Sequence, residues 1–217
     1  MGNMVRTPEQ IETFVNRMVE TYPQVHNERY WKEIDPFISY LAKGQCMDLG
    51  CGPGLLLLDL FKKYQSEKLI GLDLSPLMLT KAQSFLEEAH ANFSLLQQHL
   101  QENYFLPNGN NLVFSSRVLR SFEDPVQILT SIHDSLVENG LLVLLDWDRQ
   151  PLSVYVNWFN DDARFHENAF SDMVKYHRNF SRYSIDDWSL LLRETGFTIE
   201  HAFQLNPVHI VVVARKE

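Results

Sequence analysis

The sequence predicts an open α/β sheet, mostly parallel, with helices on both faces. Three observations carry this expectation. Residues 46–49 form a short run that enters a glycine-rich turn, and the leucine run Leu55–Leu58 starts a helix directly after it. A strand that passes through bare loop into a helix is the opening unit of a parallel sheet. A second apolar run, Leu69–Leu72, closes on Asp73, 19 positions after Gly54. Further apolar runs at 110–116 and 141–146 continue a strand–helix rhythm as far as residue 146.

The first turn is Cys46-Met47-Asp48-Leu49-Gly50-Cys51-Gly52-Pro53-Gly54. Glycines at alternate positions permit φ > 0 and remove the side chains that hold a ligand off the backbone. The helix behind them offers unpaired N–H groups and a partial positive charge. A pyrophosphate loop wants G-x-G-x-x-G, but Leu55 stands where the third glycine would be. That spacing disfavours a dinucleotide. A carboxylate about 20 residues on, at the end of the second strand, can accept both ribose hydroxyls. Asp73 fits that position, while Ser75 before Pro76 suits the next helix cap.

The stretch Asp48–Gly54 resembles motif I of the class I S-adenosylmethionine-dependent methyltransferases. The resemblance covers residues 40–150 and, in part, the final thirty. It implies a Rossmann-like open sheet of seven strands, mostly parallel with the last strand antiparallel. It also implies N-terminal helices, a helical insertion after strand five and S-adenosyl-L-methionine as cofactor. Its loop would place Asp48, Gly50, Cys51, Gly52 and Gly54 against the methionine end. Leu74 lies beside Asp73, and Met78 opens the next helix and would touch the adenine. The slot for the acid that usually holds the adenine amino group falls on His99, next to Gln98. A neutral His or a Gln still accepts one hydrogen bond. Asn111 replaces a customary Asp, a second departure. Ser115, Ser116 and Arg117 would lie beside the methionine portion and the reacting methyl.

Along the chain, residues 1–43 read as an N-terminal helical cap. Thr7, Pro8 and Gln10 open a helix as a capping box, and Tyr22-Pro23 closes it. Tyr30 and Trp31 on the next segment are candidates to cover the cofactor or meet the substrate, with core packing the competing use. Residues 44–150 are the cofactor-binding core. After Asp73 come a helix over 76–89, a strand over 92–97 and a strand over 110–116 introduced by the turn 107–110. Arg117 or Arg120 could hold a substrate carboxylate or phosphate bidentately, against a surface ion pair with Glu123 or Asp124. Asp124-Pro125 starts a helix to Val137, stopped by Glu138-Asn139-Gly140. The strand 141–146 is apolar, as one buried on both faces should be, and ends in Asp146-Trp147-Asp148-Arg149.

Residues 151–183 break the rhythm. They hold eight aromatics in 33 residues, against 12% for the whole chain, and read as a helical insertion roofing a substrate pocket. Tyr155 and Trp147 join Tyr30 and Arg120 as candidate acceptor contacts. A dimer surface or plain packing is the competing reading. His166-Glu167 is not an H-E-x-x-H pair, because Phe170 takes the second His position, so no metal is expected. Residues 184–217 give a capped helix and two closing strands. The whole reads as one methyltransferase domain.

The expected reaction is methyl transfer to a small organic acceptor by in-line displacement. His166, His177, Asp146 and Tyr155 are the candidate bases. A tRNA or protein methyltransferase and a non-catalytic, cofactor-binding partner subunit are the alternatives. A formal charge of −9 argues against a nucleic-acid partner, although an RNA reached through a local basic patch stays open. No apolar run approaches the ~20 residues that cross a bilayer. With two cysteines, Cys46 and Cys51, and no evident secretory signal, a cytoplasmic monomer or homodimer with reduced thiols is expected.

Overall fold

The computed structural model describes residues 8–102, 104–160 and 169–217. Two compact units divide the chain, Met1–Leu100 and Gln101–Glu217. The fold is the expected Rossmann-like one, with seven strands. Thr7 and His166 lie outside the described residues.

In the first unit, α1 (Pro8–Val25) and α2 (Glu28–Ile38) precede β1 (Gln45–Leu49). α1 continues through Pro23, where the sequence signals place its end. So near its end the proline forfeits little of the ladder, and His26 N–H still donates to Tyr22 O at 3.0 Å. Asn27 caps α2 by accepting from the Tyr30 N–H at 3.0 Å. Then come α3 (Leu55–Tyr64), β2 (Lys68–Asp73), α4 (Pro76–Glu88) and β3 (Phe93–Gln97). β1 pairs in parallel with β2, and β2 in parallel with β3. Leu56, Leu57 and Leu60 bury the inner stripe of α3, and Met78, Leu79, Ala82 and Leu86 that of α4. These stripes put the carboxyl ends of β1 and β2 beside the N-terminus of a helix each.

In the second unit, β4 (Asn110–Ser116) pairs in parallel with β5 (Leu136–Trp147). Asp124 caps α5 (Pro125–Ser135) by accepting the Val126 N–H at 2.9 Å. α5 stops at Ser135, two residues before the expected end, because Leu136 already pairs with Asn110. The register then slips before Leu112 meets Leu141, and Asn139, not Gly140, takes the left-handed turn with φ +61°. The inserted helices are α6 (Leu152–Asn160) and α7 (Ala169–Phe180). After α8 (Ile185–Glu194), β6 (Phe197–Asn206) turns back into β7 (His209–Lys216). β7 lies between β5 and β6, antiparallel to both, as the resemblance implies. Among the described residues no helix is long and apolar enough to cross a membrane.

Ser184 opens α8 with a complete capping box: its hydroxyl accepts the Asp187 N–H, and the Asp187 carboxylate accepts the Ser184 N–H at 2.8 Å. These backbone and hydroxyl donors hold the Asp187 carboxyl below its usual range. Ser184→Ala should cost about 1 kcal/mol, the ordinary value of an N-cap. In a chain of this size that lowers Tm by about 2–4 °C, which a thermal melt will show.

Candidate functional site

The glycine turn of the first unit is built by its neighbours. Gly50, Gly52 and Gly54 have φ of +68°, +52° and +76°, in the left-handed region that side chains resist. The Cys51 N–H donates to Leu72 O at 2.9 Å, which ties the turn to β2. A Cβ on Gly54 would lie 2.7 Å from the Cβ of Ala82, so loop and α4 meet with no side chain between them. Gly71 makes room in the same way for the Cys51 sulfur, 2.8 Å from where its Cβ would stand. Both thiols are free and buried. Burial pushes Cys46 up to about 12 and Cys51 higher still, so both are inert packing groups at neutral pH.

Two carboxylates meet at this turn. Asp73 accepts the Gly52 N–H through Oδ2 and the Ser75 N–H through Oδ1, both at 2.8 Å. Each oxygen keeps a further lone pair, which suits a vicinal diol. Burial raises the Asp73 carboxyl, and the Ser75, Gly52 and Leu74 N–H groups pull it back. Asp48 is 2% exposed, and its Oδ1 is buried without a hydrogen-bond partner. Burial, and then the charge of Asp73, push it well above the carboxylate range. α3 carries no acidic residue in its first turn and no side-chain cap, so its positive end is left for something else to answer.

The remaining candidates of this unit surround the turn. The Met78 N–H reaches the Ser75 hydroxyl at 3.4 Å and its side chain is buried, whereas Leu74 is exposed. The Gln98 N–H donates to Asp73 O at 3.1 Å, which sets Gln98 and His99 just past the β3 edge of the turn. Tyr30 is buried, edge-on to both His26 and Trp31, so it and Trp31 are core side chains here. Met18 of α1 was not among the expected site residues. Its methyl lies 3.1 Å from where a Gly52 Cβ would stand, so a ligand resting on Gly52 must displace it. Its only sequence signal is a place on the apolar stripe of α1, and Met is pliant enough for the move.

The second unit has its own cluster at the ends of β4 and β5. Ser115 and Ser116 each hold a buried hydroxyl without a partner. Arg117 takes a left-handed φ of +62° and donates its N–H to Leu145 O at 2.7 Å. Arg120 does not pair with Glu123 or Asp124. Its Nη1 lies 3.2 Å from Oδ1 of Asp146, a fully buried carboxylate that also accepts the Arg120 and Trp147 N–H groups. Burial raises Asp146 while Arg120 and those N–H groups act to lower it.

Trp147 stacks on Tyr155, Phe159 and Phe180, with centroids 5.8, 5.9 and 6.1 Å away. Side chains of α6 and α7 therefore pack around Trp147, while Trp158 and Phe170 are exposed. The Tyr155 hydroxyl donates to Asp148 O at 2.5 Å, and burial pushes it up to about 12, so at neutral pH it is a donor and not a base. His177 contacts Gln150 O through Nε2 at 2.8 Å. Gln204 of β6 was not among the expected candidates. Gln150 and Gln204 both donate to Asp148 Oδ2. Among the described residues no group of three or more His, Cys, Asp or Glu could hold a metal.

A family model described as a methyltransferase domain matches residues 24–202. The chain belongs to this methyltransferase-domain family. An uncharacterized protein of Haemophilus influenzae is 34% identical over 101 residues, 45% of this chain and 39% of that protein. A tRNA U34 carboxymethyltransferase of Psychromonas ingrahamii is 33% identical over 118 residues, 52% of this chain and 35% of that protein. The chain thus spans well under half the length of these curated relatives. A solved S-adenosylmethionine-dependent methyltransferase from Aquifex aeolicus superposes with a TM-score of 0.69 at 14% identity, covering 94% of this chain and 98% of that one. At that identity the likeness shows a shared fold.

Asp48 yields a pH prediction. Its raised folded-state pKa means the folded chain keeps a proton that the unfolded chain releases above about pH 4. Its contribution to stability is complete below that pH and is lost as pH rises through the folded value. Asp48→Asn removes the titration. Thermal melts should show the variant more stable than the parent near pH 8, with the gap closing toward about pH 4.

Proposed function

We propose that this chain is an S-adenosylmethionine-dependent methyltransferase that acts on a small organic acceptor. The observation that carries the reading is Asp73, a carboxylate at the end of β2 fastened to the N–H of Gly52 in the glycine turn. S-adenosylmethionine is the methyl donor expected of this family, and when bound it supplies a sulfonium methyl already activated for transfer. The residues present fit it. The turn offers backbone instead of side chains, and Asp48 presents a buried oxygen with no partner, suited to an ammonium.

The work left to the chain is to hold and to align. Asp73 accepts the ribose hydroxyls with the lone pairs that Gly52 and Ser75 leave unused. Asp48 and the backbone of Gly50, Cys51, Gly52 and Gly54 take the amino-acid end. Leu74, Met78, Gln98 and His99 border the adenine. The aromatic cluster around Trp147 excludes water from a small acceptor. A base is needed only if the acceptor carries a proton at neutral pH.

An RNA acceptor is the second reading, favoured by the tRNA-acting relative. The charge of −9 weighs against it. Calorimetry with S-adenosylmethionine and S-adenosylhomocysteine tests the donor site. Both should bind, and Asp73→Ala should weaken binding by about one to two decades, the worth of hydrogen bonds to a charged acceptor. Unchanged affinity removes Asp73 from the site, and no heat with either ligand makes this a non-catalytic member. Gel retardation of bulk tRNA at about 50 mM salt, where phosphate contacts are strongest, should be absent; a retarded band favours the RNA reading.

A further inference from the structure

We propose that the acceptor carries a carboxylate and that Arg120 is the group that holds it. The inference rests on the methyltransferase reading and names the acceptor class of that site. Arg120 lies in a 3-10 turn, Leu119–Ser121, just after β4. Its guanidinium is fixed from several sides. Nη1 donates to Arg117 O and to Asp146 Oδ1, while the Arg120 N–H donates to Asp146 Oδ2 at 3.0 Å. The ring of Phe180 lies under it, with the guanidinium carbon 4.5 Å from the centroid.

These contacts occupy the two hydrogens of Nη1 and one face of the plane. They do not use Nε, which is buried and has no hydrogen-bond partner. Nε and Nη2 form the other edge of the guanidinium, and two parallel N–H groups on that edge match the two oxygens of a carboxylate. A buried donor without a partner is costly to keep, so the arrangement asks for an acceptor. Arg117 is also bent into a left-handed conformation that turns its carbonyl to Nη1. Strain of this kind persists where a site needs the geometry.

The neighbours narrow the class. Asp146 is fully buried beside the guanidinium, so a second anion of high charge meets repulsion there. A monoanion is tolerated better than a phosphate dianion. Phe180 continues into the stack on Trp147, which favours a flat apolar body next to the charge. A flat monocarboxylate satisfies both conditions. Asp146 is the positioning residue, acting through Arg120.

The test uses the full chain saturated with S-adenosylhomocysteine. Benzoate, benzamide and inorganic phosphate are titrated by calorimetry or ligand-observed NMR. Benzoate should bind about ten-fold tighter than benzamide and tighter than phosphate, the change expected of one charge-assisted pair. Arg120→Lys keeps a cation beside Asp146 but loses the planar fork, and should remove most of that preference. The double variant Arg120→Gln with Asp146→Asn leaves no buried charge unpaired, and should bind benzoate and benzamide alike. Equal or no binding of benzoate and benzamide by the parent, a preference for phosphate, or a preference untouched in Arg120→Lys, overturns the inference. If S-adenosylhomocysteine binds while benzoate shows no preference, the methyltransferase reading stands and this inference alone falls. If S-adenosylhomocysteine does not bind, both fall.

Discussion

The Asp73 carboxylate bridges the Gly52 N–H and the Ser75 N–H, and the geometry of the glycine turn depends on that bridge. One oxygen orients the turn after β1, and the other opens α4. The Gln98 N–H on the carbonyl of Asp73 adds the end of β3 to the same point. With the turn also tied to Leu72, its backbone is held in an unusual conformation, and the side chain that lies over Gly52 is the pliant Met18 of α1. The neighbours have been shaped to allow this. Ala82 and Gly71 are small where Gly54 and Cys51 approach.

Such a turn has a thermodynamic cost, and it falls on the acids. Burial raises both Asp48 and Asp73, and the charge of Asp73 hinders the ionisation of Asp48 further. Neither a buried oxygen without a partner nor a pair of crowded carboxylates is explained by folding alone. Both make sense where a cationic, hydroxyl-bearing ligand answers them. The second unit repeats the pattern at the end of β4, where Arg117 is bent and Arg120 is fastened to a buried Asp146. In each unit the strained backbone and buried charge gather at the carboxyl end of a strand, where open α/β sheets carry their ligands.

Much of the fold was readable from local rules. Ser75, Asp124 and Ser184 cap the helices that their sequence contexts announce, because a short polar side chain before a helix has one dominant use. Apolar runs closed by Gly50 and Asp73 located β1 and β2. Boundaries were less legible. α1 outlasts Pro23, and β5 begins at Leu136 because pairing with Asn110, a tertiary contact, competes with helix propensity. The partner of Arg120 was equally hidden. Glu123 and Asp124 are its neighbours in sequence, yet the buried Asp146, 26 positions away, takes the guanidinium.

By itself, the sequence determined the class of the fold, the bare turn at 50–54 and the carboxylate that follows it, because strand periodicity, glycine and helix caps act over a few residues. It also determined that aromatic side chains concentrate after the fifth strand. Only the tertiary structure decided which oxygen of Asp73 meets which N–H, that Asp48 keeps an unanswered lone pair, and that Trp147 becomes the hub of the inserted helices. Those outcomes depend on burial and on distance between remote parts of the chain. No local pattern encodes them, since the free energy of a charge or a ring depends on what surrounds it once the chain has closed.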